Sequence, residues 1–226
     1  MIKRVSSQPK KKKQKKEKKP EEKQIVIINN IQPPESKDFD LRTINLYGDI
    51  TEQKGSDIIG ALLFLENNSH IILPEETDSP DSKEVVMARS ISLMVSTHGG
   101  SASEMFSILD VMDMIKSRTC DIETFGVGKV MSAGVPILAA GTPGKRKVGR
   151  NCRIMLHNVM AGSVGTIFSI ENELEEIKWV QERYIQCLSG YTKLTPSKIK
   201  KLLKSQKDVY ISAEEAIKMG IADEIL

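Results

Sequence analysis

Ser132, His157 and Asp208 of this 226-residue chain each occupy a local context suited to one part of nucleophilic acyl chemistry. Ser132 lies in Gly128-Lys-Val-Met-Ser-Ala-Gly134, between an apolar extended stretch and the helix-like Val135-Pro-Ile-Leu-Ala-Ala140. A sharp strand-to-helix turn of that kind lifts a hydroxyl out of a sheet and aims backbone N–H groups at whatever binds there. There are three histidines, His70, His98 and His157, and of these only His157 closes an apolar run, Arg153-Ile-Met-Leu-His157. Asp208 immediately precedes the short β-prone Val209-Tyr-Ile211. A hydroxyl, an imidazole and a carboxylate can serve as nucleophile, general base and orienting group. Taken singly, each residue has a plainer reading: a helix N-cap, an ordinary surface or core histidine, and a strand-flanking turn residue.

A second motif adds weight to the chemical reading. Ile91-Ser-Leu-Met-Val-Ser-Thr-His-Gly-Gly100 is a strand running into paired glycines, and the helix-like Ser101-Ala-Ser-Glu-Met-Phe-Ser-Ile-Leu-Asp-Val-Met112 follows. Glycines between a buried strand and a helix start leave backbone N–H groups unobstructed. Such donors bind a phosphate, a thioester carbonyl or a tetrahedral oxyanion.

Strand-like and helix-like segments alternate from Leu41 onward, which predicts a layered α/β fold with mostly parallel strands and right-handed crossovers. The longest helix is expected from about Ile167 to Leu188, where Ile167, Ile170, Leu174, Ile177, Tyr184 and Leu188 recur at helical spacing. Trp179 and Val180 widen its apolar surface, which suits either a core-packed helix or an oligomer contact. Near the end, Ser212 with Glu215 forms a capping box and Gly220 a helix stop. Asn67 to Arg89 contains Pro74, Pro80 and many acidic residues and reads as a surface loop or hairpin.

With these residues in place, the chain from about Arg42 to Leu226 resembles the proteolytic subunit of the ATP-dependent Clp protease. Ile44-Asn-Leu-Tyr-Gly-Asp-Ile50 and Ile58-Ile-Gly-Ala-Leu-Leu-Phe-Leu-Glu66 match the opening of that family. Ser96-Thr-His-Gly-Gly100 is similar to its Ser-Pro-Gly-Gly turn and Met131-Ser-Ala-Gly134 to its nucleophile turn. Gly141-Thr-Pro-Gly-Lys-Arg146 and Asn151-Cys-Arg-Ile-Met-Leu-His-Asn158 resemble its route to the histidine, and the stretch from Asp208 to Ile225 its closing segment.

The resemblance implies an α/β fold of ClpP/crotonase-like repeated β-α units, with a strand–helix handle from Ala161 to the long helix. The tail and linker would occupy residues 1–38 and the peptidase domain 39–226, with an insertion at about 67–90. Ser132 would attack a peptide carbonyl, His157 would carry the proton, and Asp208 would hold the imidazole tautomer. The Gly100 and Ala133 N–H groups would form the oxyanion hole. No metal or organic cofactor is implied, and no ligand cluster accompanies His70 or His98.

The family architecture implies two stacked seven-membered rings of identical subunits, with an AAA+ ATPase unfoldase feeding unfolded proteins into an inner chamber. Departures from the family pattern are Lys207 where arginine is common, Thr166 and Ser169 at handle positions, the insertion, and the basic N-terminus. Two other readings stand beside this one: a non-enzymatic or modulatory subunit of a mixed Clp barrel, and a crotonase-type acyl-CoA enzyme using the same kind of oxyanion hole.

Charge is unevenly placed. Residues 1–24 hold eleven basic against three acidic residues, a net +8 in a chain of net +3, so the remainder carries −5. Lys10-Lys-Lys-Lys-Gln-Lys-Lys-Glu-Lys-Lys19 has nothing to bury, so it reads as a disordered arm. Its charge makes it a candidate for contact with nucleic acid, anionic lipid or an acidic partner, without aromatic residues for base stacking. Cys120, Cys152 and Cys187 are odd in number and scattered, unlike a secreted disulfide framework. No apolar run reaches the roughly 20 residues of a membrane span, and no signal-like segment opens the chain. The expected location is cytoplasmic, with an organelle stroma or a phage-infected bacterial cytoplasm as alternatives.

Overall fold

Apolar residues at every second position of Ile91-Ser-Leu-Met-Val-Ser-Thr97 make that stretch a strand with one buried face, and a sheet is built around it. The computed structural model describes residues 41–74, 84–204 and 208–226, of which 72–74 and 84–86 by their backbone alone. The basic tail, Ile25-Val-Ile-Ile28, the Pro33–Asp38 linker, the middle of the expected insertion and Lys207 lie outside the described residues.

The element order is β1 (Thr43–Tyr47), α1 (Glu52–Asn67), β2 (His70–Pro74), β3 (Glu84–Ala88), β4 (Ile91–Thr97), α2 (Ala102–Arg118), β5 (Ile122–Met131) and α3 (Gly134–Ala139). There follow β6 (Arg146–Val148), β7 (Arg153–Leu156), α4 (Ile167–Tyr191), α5 (Pro196–Leu203), β8 (Val209–Ile211), α6 (Ala213–Met219) and β9 (Glu224–Ile225). The main sheet runs β1-β4-β5-β6-β9, parallel throughout, and β7 joins β5 in parallel. Within this sheet β8 runs against its neighbour, β7. The mostly parallel α/β reading of the sequence therefore holds.

Helix starts follow local chemistry. Thr51, Ser101, Thr166, Thr195 and Ser212 each accept a backbone N–H three residues on, satisfying a donor that has no partner within the helix. The expected capping box of Ser212 and Glu215 forms, and Gly220 ends α6 at φ +74°. Along α2, Met105, Ile108, Leu109, Met112 and Ile115 fall on one stripe and are buried. Against them lie Ile44, Leu46, Ile91, Leu93, Val95 and Ile122 on one sheet face. Full burial of each such side chain is worth about 1.5–3 kcal/mol.

The opposite face differs. Asn45, Tyr47, Ser92, Met94, Ser96, Glu123, Phe125 and Lys147 alternate with the core residues and remain half-buried or exposed. The longest helix is likewise divided: Tyr184, Ile185 and Leu188 are buried at its C-terminal end, whereas Ile167 is 73% and Phe168 77% exposed. The segment read as a loop or hairpin carries β2 and β3, paired antiparallel from His70↔Ala88 to Pro74↔Glu84.

Candidate active site

Two irregularities in the sheet create the site. In β5 the pairing with β4 shifts between Val95↔Gly126 and Thr97↔Val130, and Gly128 takes φ +65° within the shifted stretch. The first half of β5 pairs β6 and the second half pairs β7, with Met131↔Met155 the last register step. Parallel neighbours deliver their C-terminal ends to the same edge, where ligands bind in open α/β sheets. Ser132 and His157 are the residues emerging there, two chain segments brought together by one register.

The Ser132 turn is tightly specified. It has φ +52°, and among the described residues no other non-glycine residue has positive φ. Its N–H donates to the Met155 carbonyl at 2.8 Å, tying the turn to the strand that leads to His157. Its Oγ lies 2.7 Å from His157 Nε2. A strained left-handed residue at the head of a strand is the expected geometry of an exposed nucleophile.

The glycine pair completes the arrangement. Thr97, fully buried, accepts the Gly99 N–H at 2.9 Å through its Oγ1 and so shapes the turn. A Cβ on Gly99 would fall 2.6 Å from the Ser132 Cβ, so only glycine lets the serine lie over this turn. Gly100, at φ +146°, bridges Ile50: the Ile50 N–H donates to the Gly99 carbonyl and the Ser101 N–H to the Ile50 carbonyl. In a parallel bridge of this kind the Gly100 N–H points away from Ile50. That leaves it on the side of the cleft that Gly100 lines.

The cleft has a volume of about 290 Å³ and is walled by Ser132, His157, Gly100, Ala133, Ser101, Ala102, Met105, His98, Tyr184 and the Asn158–Met160 segment. Four of the five residues singled out in the sequence thus line one cavity. The fifth, Asp208, sits beside it: β7 and β8 pair Leu156↔Val209, and one further step sets His157 opposite Asp208. The Asp208 side chain is exposed, and among the described residues the His157 ring bonds Ser132 and no carboxylate.

Tyr184 on α4, which the sequence marks only as an apolar helix position, and Met105 on α2 line the cleft, and Gln181 on α4 bonds its Val159 wall; all three are separated from Ser132 in the chain and carry no catalytic motif. Burial pushes the Tyr184 hydroxyl well above its ordinary range, so it stays a neutral donor. His98 lines the cleft and is exposed, whereas His70 lies on β2 and is not part of its lining. Among the described residues no three His, Cys, Asp or Glu side chains assemble at metal-ligand spacing. The three cysteines are free, and burial pushes the Cys152 thiol up to about 11. No helix among the described residues is long and apolar enough to cross a membrane.

Comparison with known proteins gives the family of the chain. A family model described as Clp protease matches residues 82–226, more than half the chain. The chain is 32% identical over 193 residues to the "ATP-dependent Clp protease proteolytic subunit 3" of Frankia casuarinae, covering 85% of this chain and 80% of that protein. On both grounds, this chain belongs to the Clp protease family.

Proposed function

We propose that this protein is a serine endopeptidase that cleaves unfolded polypeptides through an acyl-enzyme, with Ser132 as nucleophile. The observation that carries the proposal is the 2.7 Å approach of Ser132 Oγ to His157 Nε2 on a left-handed turn facing the cleft. His157 Nε2 accepts the Ser132 proton as Oγ attacks the scissile carbonyl, then returns it to the leaving amine. The carbonyl oxygen gains charge between the Gly100 and Ala133 N–H groups, each donor worth about 3–4 kcal/mol in the transition state. Water then attacks the ester, with His157 acting again as base. Asp208, opposite His157 in the β7–β8 register, is the orienting carboxylate once its exposed side chain turns toward Nδ1.

The exposed faces favour an assembly. A parallel sheet is normally covered on both faces, yet here Ser92, Met94, Phe125 and Lys147 face outward without a covering layer among the described residues. Ile167, Phe168 and Leu174 project from the first half of α4. Both surfaces suit burial against further copies of the chain, in the two stacked rings that the family resemblance implies. An ATPase unfoldase would then deliver substrate, and enclosure of Ser132 would protect folded proteins.

A modulatory, non-enzymatic role in a mixed barrel is the second reading, favoured by the lack of a carboxylate bond to His157. Fluorophosphonate labelling and cleavage of a short fluorogenic peptide separate the two. Label on Ser132, with both labelling and cleavage abolished in Ser132→Ala, is the result expected of the peptidase. An unlabelled, silent but folded wild-type protein overturns it in favour of the modulatory role.

A further inference from the structure

Helix α4 does more than project from the body, because one face of its buried end touches both catalytic turns. Tyr184, 5% exposed, donates its hydroxyl to the Ser132 carbonyl at 3.3 Å. Gln181, one helical turn earlier on the same face, accepts the Val159 N–H through Oε1 at 2.7 Å. Val159 is two residues past His157, and between them Asn158 donates to the Leu203 carbonyl on α5 at 2.9 Å.

The two turns therefore reach a common support. Ser132 stores backbone strain of about 1–3 kcal/mol at φ +52°, which persists only where surrounding bonds over-determine it. Its carbonyl has two such bonds, from the Val135 N–H at 3.0 Å and from Tyr184. The Val159 N–H fixes the orientation of the Gln181 amide, since only the oxygen can accept it. Loss of either bond leaves packing largely intact but frees one partner of the Ser132–His157 pair.

We propose that Tyr184 and Gln181 are positioning residues for catalysis: Tyr184 holds the Ser132 turn through its carbonyl, and Gln181 holds the His157 segment through the Val159 N–H. The proposal rests on Ser132 being the nucleophile. It assigns the buried end of α4 a part in reactivity that acts through the two turns and needs no substrate contact.

The test compares wild type with Tyr184→Phe, Gln181→Leu and Gln181→Glu in the full chain. Active sites are titrated with a fluorophosphonate, and kcat is expressed per titrated site. Tyr184→Phe is expected to lower kcat per site about fivefold and Gln181→Leu about tenfold at unchanged KM, the scale of one hydrogen bond. Gln181→Glu keeps the acceptor, and the adjoining cavity that takes its charge is lined by Lys204 and by Lys200, which is paired with Glu182 at 2.8 Å. It should therefore stay within about twofold of wild type. A merely structural role would reduce the number of titratable sites while leaving kcat per site untouched. Wild-type kcat per site in Tyr184→Phe or in Gln181→Leu overturns the assignment for that residue. Failure of wild type itself to take up the probe at Ser132 removes the nucleophile assignment instead.

Discussion

At the scale of single residues, the site depends on what is missing as much as on what is present. Gly99 has no side chain because Ser132 occupies that volume, and it adopts φ +105°, where other residues are strained. Alanine there must displace the Ser132 Cβ, and a nucleophile moved by about 1 Å loses on the order of 100-fold in rate. We expect Gly99→Ala to lower kcat/KM by about that factor while far-ultraviolet circular dichroism stays that of wild type. Cleavage near the wild-type rate would show that the serine does not need this turn. Gly100 is held as firmly, since a Cβ on it would fall 2.4 Å from the Ile50 carbonyl oxygen.

At the scale of elements, charge pairing ties ends together that the sheet leaves apart. Arg146 at the start of β6 donates from Nε and Nη2 to the Asp223 carboxylate, and from Nη1 to the Ala139 and Tyr191 carbonyls. Asp223 also accepts the Gly144 N–H, so α3, α4, β6 and the approach to β9 meet at one buried guanidinium. The Arg146 guanidinium, chiefly by its hydrogen bonds, holds the Asp223 carboxyl below its ordinary value of 3.8. A lowered folded-state value means the pairing stabilises the fold fully above the ordinary carboxyl range. That stabilisation is lost as acid carries the pH down through the folded value. Asp223→Asn should cost about 2–3 kcal/mol in urea unfolding at pH 7, with a smaller difference from wild type in acid. An equal difference at both pH values would remove Asp223 from the acid sensitivity of the fold.

Helix α4 divides its work along its length, buried support at one end and exposed apolar surface at the other. If the exposed half packs against another copy, polar substitution there should act on mass before it acts on folding. Ile167→Ser combined with Phe168→Ser is expected to shift mass photometry toward smaller species while leaving the melting temperature of the isolated subunit within a few degrees. An unchanged mass distribution would place assembly on other surfaces.

For the whole molecule, the main question is how the acidic body relates to the basic N-terminal stretch, net −5 against +8. Added charge changes association and encounter rates more than it changes the chemistry of bond cleavage. Deleting residues 1–24 should leave cleavage of short uncharged peptides within about twofold of wild type, measured as kcat/KM. A silent truncated protein would place that stretch in assembly or gating.

The sequence alone determined the local features that depend on near neighbours: the strand of Ile91–Thr97, the helix near Ile167–Leu188, the Ser212 cap with its Gly220 stop, and the turns around Gly99 and Ser132. Period, capping chemistry and glycine placement act over a few residues, so they can be read from a few residues. It also marked Ser132, His157 and the Gly99–Gly100 turn by type and context, while Ala133 came only from the family resemblance. Only the tertiary structure decided which of them meet. The 2.7 Å approach of Ser132 to His157 depends on β5 changing partner from β6 to β7, a long-range choice of neighbour with no local signature. Tyr184 and Gln181 entered the site from a helix whose apolar spacing fits an ordinary core stripe. Asp208 was placed opposite His157 without bonding it, because backbone register fixes where a residue stands and not where an exposed side chain turns.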